Sequence, residues 1–332
     1  MFGYLYIKSC FHCLCFLFFC FIVHPGVFLS GQALAGQDKL QVIVSIAPQK
    51  YFLERIGGDL VQTTVLLPAG ASPHTFEPRP SQVRELGSAD IYMTIGVEYE
   101  KALLPRIESL HSDLEIAPVD HGIEKIAMTK SCAHDHNHGH NHGQDRRHNH
   151  GHNQDHKHHH HHEHEYNGLD PHVWLAPDTA MLIAENIFQS LAGARPDKEN
   201  YFRDNYLEFI EELKSLDQEI KTIFRDVAPE SRFMVFHPAW GYFARAYGLV
   251  QVPVEVEGRE PKPADLKELI DTAVAEDIRI VFVSPQFSKR SAETIAKAIN
   301  GQTAVIDPLA EEWDKNLIAV AQKIAQAAGS SQ

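Results

Sequence analysis

The sequence predicts an α/β protein of two lobes, each a mainly parallel sheet flanked by helices, with one long rigid helix joining them. Three observations lead to this fold class. Short apolar runs alternate with amphipathic segments from residue 39 to about 127, and the alternation resumes after residue 229. A long amphipathic stretch separates the two regions. Strand–helix–strand order with short connections is typical of a parallel sheet covered by helices.

The first lobe is predicted over residues 36–195. Its strands are three short apolar runs: "LQVIVSI" (40–46), "QTTVLL" (62–67) and "IYMTIG" (91–96). The helix after the first strand is predicted to stop at Gly57 and Gly58, because glycine is favoured just beyond a helix end. A further helix is predicted over about 177–192.

The connecting helix is predicted over 196–228. Apolar residues recur there every three or four positions, which is the pattern of an amphipathic helix. They include Leu207, Ile210, Leu213 and Ile220. About 30 residues at 1.5 Å each would span about 45 Å. This length exceeds the need of one small domain and indicates a rigid connector.

The second lobe is predicted over 229–332. Its strands are four further apolar runs: "RFMVFH" (232–237), "VPVEV" (252–256), "IRIVFVS" (278–284) and "TAVID" (303–307). A final amphipathic helix covers about 311–327. The two lobes share their order of elements, but no clear sequence repeat relates them.

The first 35 residues have the features of an export signal. Lys8 precedes an apolar run over 10–23, and "ALAG" offers a cleavage site between Ala35 and Gly36. The alternative is a membrane anchor, but an apolar core of about 14 residues is short of the roughly 20 that span a bilayer. We therefore expect a cleaved signal peptide and a periplasmic or extracellular protein.

Charge and cysteine content exclude some classes of protein. The chain has a formal net charge of −14, and loss of Lys8 with the signal would make it −15. An acidic protein lacks the basic surface that nucleic acids require. Four of the five cysteines precede residue 36, so only Cys132 would remain. An intramolecular disulfide is then impossible.

A histidine-rich insertion occupies residues 131–166. Fifteen of the 22 histidines of the chain lie between His134 and His164, in a low-complexity run such as "HNHGH". Without apolar periodicity, this segment is predicted to be disordered. It could bind several ions weakly as an accessory that captures or buffers metal. It could also be a solvated spacer.

Four ligand-type side chains are predicted near strand ends, where open parallel sheets bind ligands. His74 follows the second strand, His237 ends "RFMVFH", Asp307 ends "TAVID", and His172 lies in "DPHVWLAP". Three imidazoles and one carboxylate suit tetrahedral Zn²⁺ better than Mn²⁺, which favours more oxygen. Each residue also has an ordinary alternative, since a lone histidine can be a loop residue and Asp307 could cap a turn.

Six ordered motifs add a resemblance to a known family. They are "LLPAGASPHTFEPRPSQVREL", "DPHVWLAP", "FHPAWGYFARAYGL", "VEGREPKPADLKELI", "SPQFSKRSAETIA" and "VIDPL". Outside the histidine-rich insertion, the chain closely resembles the periplasmic metal-binding solute-binding proteins of ABC importers, in the zinc-uptake (ZnuA-like) branch. The resemblance implies two α/β lobes with metal held in the cleft between them.

The resemblance also implies a ligand set. His74, His172 and His237 would be ligands, with Asp307 as the fourth unless water takes its place. Manganese members tend to carry a carboxylate at the position of His237, so Zn²⁺ is expected rather than Mn²⁺. Glu77 could accept the other ring N–H of His74, or it could be a surface residue.

Competing functions follow from these residues. The leading hypothesis is a binding protein, not an enzyme, that captures Zn²⁺ and presents it to an ABC permease, most simply as a monomer. The alternative is a secreted zinc-dependent hydrolase, because three histidines with an open fourth position form a catalytic pattern. That reaction needs a general base, for which Glu77 is the candidate. An adhesin with bound metal is a third possibility that the sequence leaves open.

Overall fold

The computed structural model describes residues 39–129, 168–256 and 259–329. The predicted signal peptide (1–35) and the histidine-rich insertion (131–166) lie outside these residues. The described part contains two parallel four-stranded sheets flanked by helices, which confirms the predicted fold class. None of its helices combines the length and the apolar character that crossing a membrane requires.

The first sheet has the strand order β2-β1-β3-β4, with every neighbouring pair parallel. Its strands are β1 (Leu40–Val44), β2 (Val61–Val65), β3 (Ile91–Thr94) and β4 (Glu115–Pro118). The helices of this lobe are α1 (Ala47–Gly57), α2 (Pro80–Leu86), α3 (Glu98–Leu110) and α4 (Pro177–Ala194). Every residue of β3 is buried, because helices cover both faces of a parallel sheet.

The second sheet has the order β6-β5-β7-β8 and is also parallel throughout. Its strands are β5 (Arg232–Val235), β6 (Val250–Pro253), β7 (Ile280–Val283) and β8 (Gln302–Val305). Its helices are α6 (Gly241–Ala246), α7 (Pro263–Ala275), α8 (Arg290–Ala298) and α9 (Trp313–Gly329). In each sheet the second strand pairs on one side of the first and the third strand on the other, so the two lobes repeat one topology.

Helix α5 (Glu199–Ile223) lies between the two sheets in the chain. Its 25 residues span about 37 Å at 1.5 Å per residue. It packs against α1 and α4 of the first lobe and α9 of the second. Phe209, Leu213 and Ile220 are buried, whereas Leu207 is 53% exposed. The buried stripe begins at Phe202 and leaves Leu207 on the solvent side, contrary to its predicted place in the apolar pattern.

The hydrophobic core crosses from one lobe to the other. Successive residues of β5 point to opposite faces of the second sheet. Phe233 and Val235 join a cluster that also contains first-lobe residues and the buried face of α5. Met234 and Phe236 join a smaller cluster beneath α7 and α8. The inner face of the second sheet is therefore packed into the same core as the first lobe.

Candidate metal centre

Three of the predicted site residues meet at the carboxyl ends of the strands. His74 lies in the loop after β2, His237 two residues after β5, and His172 directly before a short 3₁₀ turn that leads into α4. His74 Nε2 lies 3.0 Å from His237 Nε2, and His237 Nε2 lies 3.3 Å from His172 Nε2. In the described part of the chain, these three form the only group of histidine, cysteine or acidic side chains whose ligand atoms all lie within 4.8 Å of one another.

The spacing of these nitrogens fits a tetrahedral metal ion. Zn–N bonds of about 2.0–2.1 Å at tetrahedral angles place neighbouring ligand nitrogens about 3.3 Å apart. Without an ion, two neutral imidazole nitrogens at this distance can form only one hydrogen bond, in which one ring donates N–H to the lone pair of the other. The arrangement is therefore suited to a cation that accepts all three lone pairs.

Each histidine has a carboxylate beside its other ring nitrogen. Nδ1 of His172 lies 2.7 Å from Asp170 Oδ1, and Nδ1 of His237 lies 3.0 Å from Glu255 Oε2. Nδ1 of His74 lies 3.2 Å from Glu98 Oε2, within ion-pair distance but outside hydrogen-bond geometry. A carboxylate that accepts the Nδ1–H proton leaves Nε2 unprotonated and free to bind metal.

Burial and these carboxylates set the charge of the histidines. Burial lowers the pKa of His237 to about 4, and the opposing effect of Glu255 is smaller. Burial also lowers the pKa of His74, but Glu98 together with Glu255 and Asp170 raises it more, so the net pKa is raised. Burial would raise the pKa of Glu98, yet His74 lowers it to about 2. At neutral pH, the His237 imidazole is therefore neutral and the Glu98 carboxylate is charged.

The space beside the three imidazoles is small. The cavity measures about 10 Å³, which is room for about one water molecule. Apart from the histidines, it is lined by Pro73, Trp174, Gln286, Phe287, Pro308 and Leu309. The Phe287 ring stacks on His237 with centroids 4.6 Å apart. The site thus accepts an ion but excludes a bulky substrate.

Asp307, the fourth predicted ligand, lies outside the histidine group. Its Oδ1 accepts hydrogen bonds from Gln286 Nε2 at 2.8 Å and from the backbone N–H of Leu309 at 2.9 Å. The next residues, Pro308 and Leu309, line the cavity. The carboxylate therefore stands beside the cavity wall, held by its neighbours.

Sequence reasoning missed the three carboxylates that lie beside the histidines. Glu77, the candidate partner of His74, is exposed, and Glu98 lies beside the imidazole instead. Their positions in the sequence could have identified them. Glu98 and Glu255 follow β3 and β6, at the same strand ends as the histidines, and Asp170 is two residues from His172.

Two parallel-sheet lobes with a largely buried three-histidine cluster at their strand ends define a metal-binding protein of the two-lobed class. A comparison with known protein families then identifies the family within this class. The family model "Zinc-uptake complex component A periplasmic" matches residues 42–327, and the chain belongs to this family. The resemblance read from the six sequence motifs is thereby confirmed.

Relatives and solved structures agree with this placement. The chain is 30% identical over 295 residues to the high-affinity zinc uptake system protein ZnuA of Bacillus subtilis (strain 168), covering 86% of this chain and 85% of that protein. A crystal structure of ZnuA shares 38% identity at a TM-score of 0.74, covering 88% of this chain and all of that one. A zinc-bound deletion mutant of ZnuA matches with the same identity and TM-score, covering 88% of this chain and 98% of that one.

Proposed function

We propose that this protein captures Zn²⁺ between its two lobes and delivers it to an ABC permease for zinc uptake. The observation that carries this proposal is the convergence of three imidazole Nε2 atoms from His74, His172 and His237, two of whose separations are 3.0 Å and 3.3 Å. The zinc-uptake family of the chain and the zinc bound by its structural neighbour support the choice of metal.

The three histidines are proposed as zinc ligands, and Asp307 as the fourth. Nitrogen-rich coordination favours Zn²⁺ over Mn²⁺. Each imidazole is backed by a carboxylate, Glu98, Asp170 or Glu255. Acidic side chains this close to the proposed ion lower the cost of burying its charge.

The small cavity supports a binding role over hydrolysis. A zinc hydrolase needs an open coordination position, space for its substrate and a general base near the metal-bound water. The cavity of about 10 Å³ has no space for a peptide or ester. Glu77, the candidate base, is exposed, and the three nearby carboxylates lie beside the Nδ1 atoms of the histidines.

The finer assignments are part of this proposal and rest on the sequence. The protein acts outside the cytoplasm after cleavage of residues 1–35, and it works as a monomer. The histidine-rich insertion, 131–166, captures or buffers zinc through weak sites. If zinc binding orders backbone in such a low-complexity sequence, each ordered residue costs about 1–2 kcal/mol, which weakens binding relative to a preformed cluster.

Zinc titration tests the proposal directly. We expect the chain from Gly36 to bind one Zn²⁺ tightly, with additional weak sites, and deletion of 131–165 to remove only the weak sites. His237→Ala should abolish the tight site, because it removes the ligand shared by both short nitrogen contacts. His121→Ala, at an exposed histidine, is the matched control and should leave it intact. Loss of tight binding on deletion of 131–165, or its survival in His237→Ala, would overturn the proposal.

A further inference from the structure

The loop after β7 contacts the residue that follows β8. Gln286 Nε2 donates a hydrogen bond of 2.8 Å to Asp307 Oδ1. The same oxygen accepts the backbone N–H of Leu309 at 2.9 Å. Gln286 also lines the cavity beside the three histidines. One amide side chain thus touches both the site and the fourth predicted ligand.

The other end of this amide has no partner. Gln286 Oε1 is buried and makes no hydrogen bond within the described residues. A buried acceptor without a donor costs about 1–3 kcal/mol. Exchanging the oxygen and nitrogen would turn an oxygen toward Asp307 Oδ1, so the contact with Asp307 fixes the orientation that leaves Oε1 unpaired. A buried unsatisfied group in a folded protein calls for an explanation, and a functional role is one of them.

Asp307 must move to reach a metal ion. Its oxygens lie outside the group of ligand atoms within 4.8 Å of one another, whereas ligands on one tetrahedral zinc ion lie about 3.3 Å apart. Its Oδ1 is fixed by two donors, one of which is the Gln286 side chain. A movement that brings Oδ1 toward the histidines breaks or stretches the bond to Gln286, so zinc and Gln286 compete for this oxygen.

We propose that Gln286 is a positioning residue that holds Asp307 away from the metal when the site is empty and takes it back when zinc leaves. This inference rests on the proposed function, because it concerns the same zinc site. The competition lowers the zinc affinity and speeds zinc release, since Asp307 always has a second partner. Faster release is useful to a binding protein that must pass its zinc ion to a permease.

Replacing Gln286 with leucine tests this competition. Leucine approximates the volume of glutamine but donates no hydrogen bond. We expect Gln286→Leu to bind Zn²⁺ more tightly, by on the order of tenfold, because a hydrogen bond to a charged group no longer opposes zinc. The affinity is measured by competition with a chelator of known affinity. The dissociation rate, measured by mixing zinc-loaded protein with excess chelator, should fall by a similar factor.

A double-mutant comparison separates this role from a general effect on packing. Asp307→Asn alone should weaken zinc binding, and adding Gln286→Leu to it should then produce no gain. Gln62→Leu, at an exposed strand position, is the matched control and should change nothing. Unchanged or weaker binding by Gln286→Leu, or a gain that persists with Asp307→Asn, would overturn the inference. Absence of a tight zinc site in the unmutated protein would instead overturn the proposed function.

Discussion

Removal of the carboxylate behind His237 should weaken zinc binding although that carboxylate touches no metal. Glu255 Oε2 lies 3.0 Å from His237 Nδ1, and the two side chains are only 7% and 2% exposed. Glu255→Leu removes the acceptor, so the ring loses its fixed orientation and its Nδ1–H loses its partner. Glu255→Gln keeps a neutral acceptor of similar size and should act in the same direction but less strongly.

The loss of zinc affinity can be sized from the hydrogen bond and from the metal-bound ring. A buried hydrogen bond to a charged group contributes about 1.5–3 kcal/mol. Loss of the outer partner of a metal-bound histidine typically costs about 10–100-fold in metal affinity, which corresponds to about 1.4–2.7 kcal/mol. The two ranges agree. We expect Glu255→Leu near 100-fold and Glu255→Gln near tenfold, because only the leucine variant loses the acceptor completely.

Competition titration against a zinc chelator measures these affinities, and thermal melting of the zinc-free variants checks that they fold. The same substitutions at Glu77 form the matched control, because Glu77 is exposed and close to His74 in sequence. They should leave the affinity within a factor of about two. A folded Glu255→Leu variant whose affinity lies within threefold of the unmutated protein would refute this reasoning.

Three further predictions concern pH and packing. Zinc affinity should fall as the pH is lowered, because a protonated imidazole cannot bind metal. The fall should begin above the ordinary histidine pKa of 6.5, because the pKa of His74 is raised. Constant affinity between pH 7.5 and 5.5 would contradict this prediction. Burial raises the pKa of Glu100 from 4.5 to about 7, so the folded state holds the extra proton between these values and stability should fall as pH rises through them, by on the order of 3 kcal/mol. Thermal melting of Glu100→Gln across that pH range should show a smaller loss of stability than the unmutated protein. An unaltered pH profile would exclude Glu100 as the cause of the loss. Gly301→Ala should lower the melting temperature and cost about 1–3 kcal/mol of stability, because a Cβ there would lie 2.1 Å from the Arg279 carbonyl oxygen. Gly193→Ala is the control and should not lower the melting temperature, because a Cβ there meets nothing within 4 Å.

The fold was largely predictable because strongly periodic segments make up most of it. The runs at 40–46 and 278–284 contain β1 and β7, since buried parallel strands read as continuous apolar sequence. Strand β6 begins at Val250, two residues before the predicted run. Strand β4 was missed because both of its end residues are exposed, and an edge strand lacks the apolar signal of a central one.

The candidate site was predictable in part. Strand-end position identified His74 and His237 as candidates, because topology fixes where the carboxyl ends of parallel strands meet. The partners of Nδ1 depend on side-chain direction and on loops that meet only in the folded chain, which the sequence pattern does not encode. Asp307 was predicted as a ligand from the same logic, but its hydrogen bond to Gln286 depends on two loops separated by helix α8. The ligand assignment of all four residues stays a prediction that the titrations test.

The continuous core through α5 limits how this carrier can exchange its cargo. Phe233 of the second sheet and Phe209 of α5 belong to one apolar cluster with the first lobe. A wide clamshell opening would expose that apolar surface to water, at about 25 cal/mol per Å². Loading and unloading should therefore proceed through shifts of a few side chains at the mouth of the cleft, and the empty and loaded forms should have nearly the same outline in solution scattering.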